Sequence, residues 1–167
     1  MWGWHWGWKV ADTGLPIQLN SLRSLRTVWS FNLTHTRLGG TNVTYDIWLS
    51  GNPAPGDKNP AGEVMIWLYN TGDIRPIGSR QTSTIIEGIE WELWEGPHPV
   101  SAWPVYSFIR TVNTKTQKLD LRNFFQHLIS VGLSSSVYLL GVQAGAEVFT
   151  GEGRLDTNLY SINMETR

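Results

Sequence analysis

Cysteine is absent from the 167 residues, which excludes disulfides and thiolate metal sites. No apolar run approaches the roughly 20 residues that span a bilayer. Residues 1–20 carry no apolar signal-peptide segment. Neither sign of charge dominates: the formal net charge is −1 and charged residues make up 16% of the chain. Nothing in that balance argues for nucleic acid or an anionic membrane as a partner. No glycine-rich phosphate loop precedes a helix, and there is neither an HExxH pair nor a GxSxG elbow. His5, His35, His98 and His127 do not fall at metal-ligand spacing.

Ten tryptophans are present, more than core packing usually needs, because indole is bulky and its N–H wants a partner. Trp2, Trp4, Trp6 and Trp8 alternate with Gly3, His5 and Gly7. A strand would put all four rings on one face. Two readings fit, a stacking platform for a polysaccharide and an aromatic layer of the core.

The most informative stretch is Gly62 to Leu68, GEVMIWL. As a strand it sets Val64, Ile66 and Leu68 on one aliphatic face and Glu63, Met65 and Trp67 on the other. The first face belongs in a core. The second lines up a carboxylate, a thioether and a flat ring, as on the floor of a sugar-binding cleft. An ordinary strand with a mixed outer face fits equally well.

Further strands are expected over Thr27–Leu33, Asn42–Leu49, Thr82–Ile86, Ile89–Trp94, Val105–Val112, Tyr138–Phe149 and Leu159–Met164, from β-branched and aromatic content between turn signals. Residues 50–61 (SGNPAPGDKNPA) are expected to form the long tip of an antiparallel hairpin between the Asp46 and Glu63 strands. Leu19, Leu22 and Leu25 recur at spacing three, which suggests a loop or one helical turn. Leu121, Phe124, Phe125 and Leu128 follow the one helical stripe, within residues 119–129, with Asp120 as N-cap. Many short strands and one helix argue for an all-β domain over 1–167, a β-sandwich jelly roll of two antiparallel sheets with one packed helix and a concave cleft.

Glu63 and Glu147 share a pattern. Each stands on a strand whose alternate face is aliphatic, and each has a large side chain two residues on, Met65 and Phe149. Two carboxyl groups facing one cleft are what glycoside hydrolysis needs: one attacks the anomeric carbon or activates water, the other protonates the leaving oxygen. Asp46, on the neighbouring strand, could share a proton with Glu63.

Five ordered blocks, TYDIWLS at 44–50, GEVMIWL at 62–68, GDIRPIGS at 72–79, VYSFI at 105–109 and QAGAEVFTGEG at 143–153, with LRNFF between the last two, resemble glycoside hydrolase family 12, the jelly-roll endo-β-1,4-glucanases and xyloglucanases. The resemblance implies Glu63 as nucleophile, Glu147 as acid/base and Asp46 as the hydrogen-bond partner of the nucleophile. It implies retention of configuration, with carboxyl groups about 5–5.5 Å apart. Met65, Trp67 and Phe149 match cleft-lining positions and Pro76 a loop at the cleft edge; Trp6 and Trp103 are further substrate-binding candidates. No cofactor is expected. A β-glucan polysaccharide is the expected partner, with no nucleic acid and no membrane, and secretion and a monomeric state are implied. Family members carry additional strands before the point matched by Met1, among them an Asn and a Trp that bind sugar. The resemblance therefore describes an N-terminally incomplete domain, for which edge-to-edge association and weak activity are expected. A glucan-binding module without turnover, and a β-sandwich unrelated to sugar, are the alternatives.

Overall fold

The computed structural model describes residues 12–53 and 61–167 in full, and residues 2–7 as backbone. In chain order the elements are β1 (Trp2–Gly7), β2 (Ile17–Gln18), a 3-10 turn (Leu19–Ser21), β3 (Leu22–Arg37), β4 (Thr41–Ser50) and β5 (Gly62–Thr71). Then come β6 (Ser79–Ile86), β7 (Ile89–Pro97), β8 (Pro104–Arg110), β9 (Thr116–Asp120), α1 (Arg122–Ser130), β10 (Tyr138–Val148) and β11 (Glu152–Thr166).

Two sheets face each other, the expected sandwich. The larger runs β1-β10-β4-β5-β8-β7-β6, with β2 also on β10; the smaller runs β11-β3-β9. Every pairing is antiparallel except β5 with β8, which run parallel. The hairpin between β6 and β7 turns through Glu87 and Gly88 at φ 53 and 75, the positive values of a tight two-residue turn. β7 then returns antiparallel to β8, and β8 lies alongside β5.

Alternation decides what fills the space between the sheets. Val43, Tyr45, Ile47 and Leu49 of β4 and Val64, Ile66 and Leu68 of β5 point inward and are fully buried. They meet Trp29 and Phe31 of β3; the Trp29 and Tyr45 rings cross edge-on at 5.3 Å. The spacing of three among Leu19, Leu22 and Leu25 has two sources. Leu19 opens the 3-10 turn, and the pairing of β3 with β11 skips a residue near Glu165 and Thr166. That irregularity breaks the period of two, so Leu22 and Leu25 both face inward.

The helix carries the expected stripe: Leu121, Phe124, Phe125 and Leu128 are all fully buried. Phe124 meets Trp91 and Phe108 edge-on, each at 5.0 Å. Burial of each Phe contributes about 1.5–3 kcal/mol. The helix is shorter than its pattern, since Leu119 and Asp120 belong to β9. Leu121 holds the N-cap position, and Asp120 acts one residue earlier, accepting hydrogen bonds from the backbone N–H groups of Arg122 (3.1 Å) and Leu25 (2.8 Å). His127, beside the stripe, is half-buried; its ring meets Phe108, and burial lowers its pKa. No helix among the described residues is long and apolar enough to cross a membrane.

Candidate active site

The outward face of the larger sheet gathers the carboxyl groups. On β4, Asn42, Thr44, Asp46 and Trp48 share it, the parity opposite to the core residues. On β5 the same face carries Glu63, Met65 and Trp67, which pack apart from the main core. In register, Trp48 lies opposite Glu63, Asp46 opposite Met65, and Thr44 opposite Trp67. On the other flank, Asp46 lies opposite Gln143 and Asn42 opposite Glu147. Glu63 and Glu147 thus mark two ends of one strand face, with Asp46 between them. Six residues of flat strand would separate those ends by about 20 Å. The charge of Glu147 is among the causes that raise the pKa of both Asp46 and Glu63.

Asp46 is 5% exposed and Glu63 8%. Burial is the main cause that raises the Asp46 pKa well above its ordinary value. The charges of Glu63 and Glu147 add to it, and so does the hydrogen bond with Glu63. Burial also raises Glu63, but less freely. The Trp103 indole N–H donates to its Oε2 at 3.2 Å, and this bond and the one to Asp46 both favour the ionised form. The two shifts are unequal: Asp46 is raised well above its ordinary value, whereas hydrogen-bond donation works against burial at Glu63.

Glu147 is half-buried and held differently. The fully buried Asn42 donates its amide to Oε2 at 2.7 Å and accepts the Glu147 backbone N–H at 3.1 Å. Asn42 is the residue that sequence reasoning missed; it figures there only as the first residue of an expected strand. Counting the alternation back from Asp46 through Thr44 would have reached it.

The remaining residues are placed as follows. Met65 and Trp67 stand on the expected face, but they are 6% and 2% exposed. Ile74 and Ile77, from the connection between β5 and β6, pack on them together with Val105 and Trp103. Neither is therefore an open stacking surface here. Pro76 lies half-buried in the same connection. Phe149, just past β10, is 55% exposed. A Cβ at Gly39 would collide with the Thr150 carbonyl beside it, so the turn entering β4 and the turn leaving β10 lie in direct contact. Trp103, on the connection between β7 and β8, bonds Glu63 and meets Trp48 edge-on at 5.8 Å. Trp6 pairs in register with Val142; its side chain lies outside the described residues, and so does the aromatic row it belongs to. Trp29 and Trp91 are fully buried, so part of the tryptophan excess serves the core.

A cavity of about 770 Å³ lies between the sheets, with Leu33, His35, Leu155 and the two chain neighbours of Glu147, Ala146 and Val148, in its walls. It contains none of the three carboxyl groups.

The family model described as "Glycosyl hydrolase family 12" matches residues 5–165. Endoglucanase S of Pectobacterium parmentieri is 30% identical over 170 residues, covering 98% of this chain and 63% of that protein. The xyloglucan-specific endo-beta-1,4-glucanase A of Aspergillus aculeatus is 32% identical, covering 97% of this chain and 73% of the relative. Among solved structures, endoglucanase cel12A from Rhodothermus marinus superposes with a TM-score of 0.87 at 31% identity, over 99% of this chain and 73% of that one. A family 12 xyloglucanase from Bacillus licheniformis in complex with ligand gives 0.86 at 30%, over 96% and 72%.

Proposed function

The chain belongs to glycosyl hydrolase family 12, and from that premise we propose that it cleaves internal β-1,4-glucosidic bonds of a β-glucan polysaccharide with retention of configuration. The observation that carries the reading is the set of three carboxyl groups on one sheet face, whose charges act on one another while each has a different hydrogen-bond setting. Glu63, the ionised member, attacks the anomeric carbon and forms a glycosyl ester. Glu147, held by Asn42, gives its proton to the departing oxygen. It then takes a proton from the water that cleaves the ester and frees Glu63. A double displacement of this kind works with carboxyl groups about 5–5.5 Å apart.

Asp46 and Trp103 prepare the first step. Both donate to Glu63, so its charge is held and its oxygens are aimed before substrate arrives. As Glu63 loses its charge to the ester, the same donors stabilise the carboxylate as leaving group for the second step. Phe149 and Pro76 border the cleft and contact the glucan chain. Met65 and Trp67 shape the floor from beneath the 72–78 connection. The proposed substrate is a polymer, so we place the reaction outside the cell.

The test is release of reducing ends from barley β-glucan and from xyloglucan, with Glu63→Gln as control. Endo-cleavage by the native chain and none by the variant is the expected result. Retention of glucan without release of reducing ends would mark a binding module and overturn the proposal.

A further inference from the structure

Trp103 has the composition of a sugar-stacking residue but not the freedom of one. The His98 ring lies on one of its faces, with centroids 4.4 Å apart and planes 22° from parallel. Its edge contact is with Trp48, and its N–H ends on Glu63 Oε2 at 3.2 Å. His98 is itself fixed. Its Nδ1 accepts the backbone N–H groups of Val100 (3.3 Å) and Ser101 (3.2 Å), so its own ring proton sits on Nε2. Its backbone N–H donates to the Trp103 carbonyl at 2.8 Å, and its carbonyl accepts from Ala102 at 2.9 Å. Ala102 adopts a left-handed φ of 61, a conformation that strains an L-residue. A short connection bound to itself this closely, with a strained residue next to Trp103, serves to hold one side chain in place.

We propose that His98 and Trp103 form a positioning pair for Glu63: His98 folds the 98–103 connection and covers the indole, and the indole N–H fixes the carboxylate. The inference rests on Glu63 as the nucleophile. It moves Trp103 from the substrate-contacting group to the group that acts through Glu63. The other titratable groups facing Glu63 are Asp46 from β4, Glu147 from β10 and His98 itself; Trp103 adds a donor without charge. Donation to a carboxylate favours its charged form. Losing that donor therefore makes Glu63 harder to ionise, whereas losing a sugar contact would leave its titration alone.

The experiment follows the Glu63 carboxyl in the full chain by 13C NMR titration, beside the pH profile of kcat/KM on barley β-glucan. Trp103→Phe keeps a flat ring and removes the N–H. The lower titration step of the Asp46–Glu63 pair should rise by about one pH unit, and the acid limb of the profile should rise with it. His98→Phe should move both in the same direction. His98→Asn should restore them, because an Asn side-chain oxygen accepts the same backbone N–H two residues on. An unmoved lower step in the Phe variants would overturn the proposal, and so would a raised KM with an unmoved acid limb, which would make Trp103 a sugar contact. If Trp103→Phe does not fold, the two His98 variants carry the same test. The NMR readout needs no turnover, so it stays separate from the Glu63→Gln control that tests the nucleophile itself.

Discussion

Glu63 and Glu147 stand at two ends of one strand face, and their surroundings differ in kind. Glu63 is 8% exposed and takes hydrogen bonds from an indole N–H and from a neighbouring acid. Glu147 is half-buried and has a single amide holding both its carboxylate and its backbone. On the proposed reading, a nucleophile that stays ionised while buried needs donors, and Glu63 has two; an acid/base that exchanges protons with water in each cycle needs access, and Glu147 keeps it.

The comparison breaks most sharply at Glu63. Glu63→Gln is nearly isosteric and should fold, yet hydrolysis of β-glucan should fall by at least about four orders of magnitude. Full activity in a folded variant would exchange or cancel the roles. Glu147→Ala should slow natural glucan by roughly 10²–10⁴-fold; with aryl glycosides bearing good leaving groups it should spare ester formation but slow the hydrolysis that follows. Added azide should restore turnover of these aryl glycosides. Equal loss on both substrate types would make Glu147 structural.

Asn42→Ala removes both bonds to Glu147. We expect kcat to drop by about 10–100-fold with KM little changed, since the acid loses its aim while the sugar contacts remain. A change confined to KM would place Asn42 among the substrate contacts instead.

Much of this arrangement was legible in the sequence, because strand parity is a local property. Val64, Ile66 and Leu68 against Glu63, Met65 and Trp67 split as the alternation requires, and Thr44 and Asp46 follow the same rule. What escaped depends on distant segments. Nothing local shows that Ile74 and Ile77 fold over Trp67, or that His98 lies on Trp103. The parallel pairing of β5 with β8 depends on where the connection after β5 places β6, beyond β8 and β7 in the sheet. Leu119 and Asp120 read as helix because the stripe beyond them is strong, but pairing with β3 takes them into a strand. Trp29 and Trp91 show that a tryptophan count does not separate cleft from core.

The smallest expected effect concerns stability. The Asp46 pKa is raised in the fold from 3.8, so its contribution is fully present below that value and is lost as pH rises through the raised one. Asp46→Asn cannot ionise. In urea denaturation from about pH 4 to 7, native stability should fall relative to the variant as pH increases, with Glu63 leaving a weaker slope of the same sign in both. A native curve that falls no faster than that of the variant would mean that Asp46 ionises freely in the fold. The variant should also shift the pH–rate profile rather than only scale it.

Glu63 is proposed to form the covalent bond to sugar. Incubation of the protein with a 2-deoxy-2-fluoro cellobioside bearing a good leaving group, digestion and location of the adduct by mass spectrometry check this. One glycosyl unit per chain is expected, attached to the peptide that contains Glu63. A label on Glu147 or Asp46, or hydrolysis to the inverted anomer with no adduct, would contradict it.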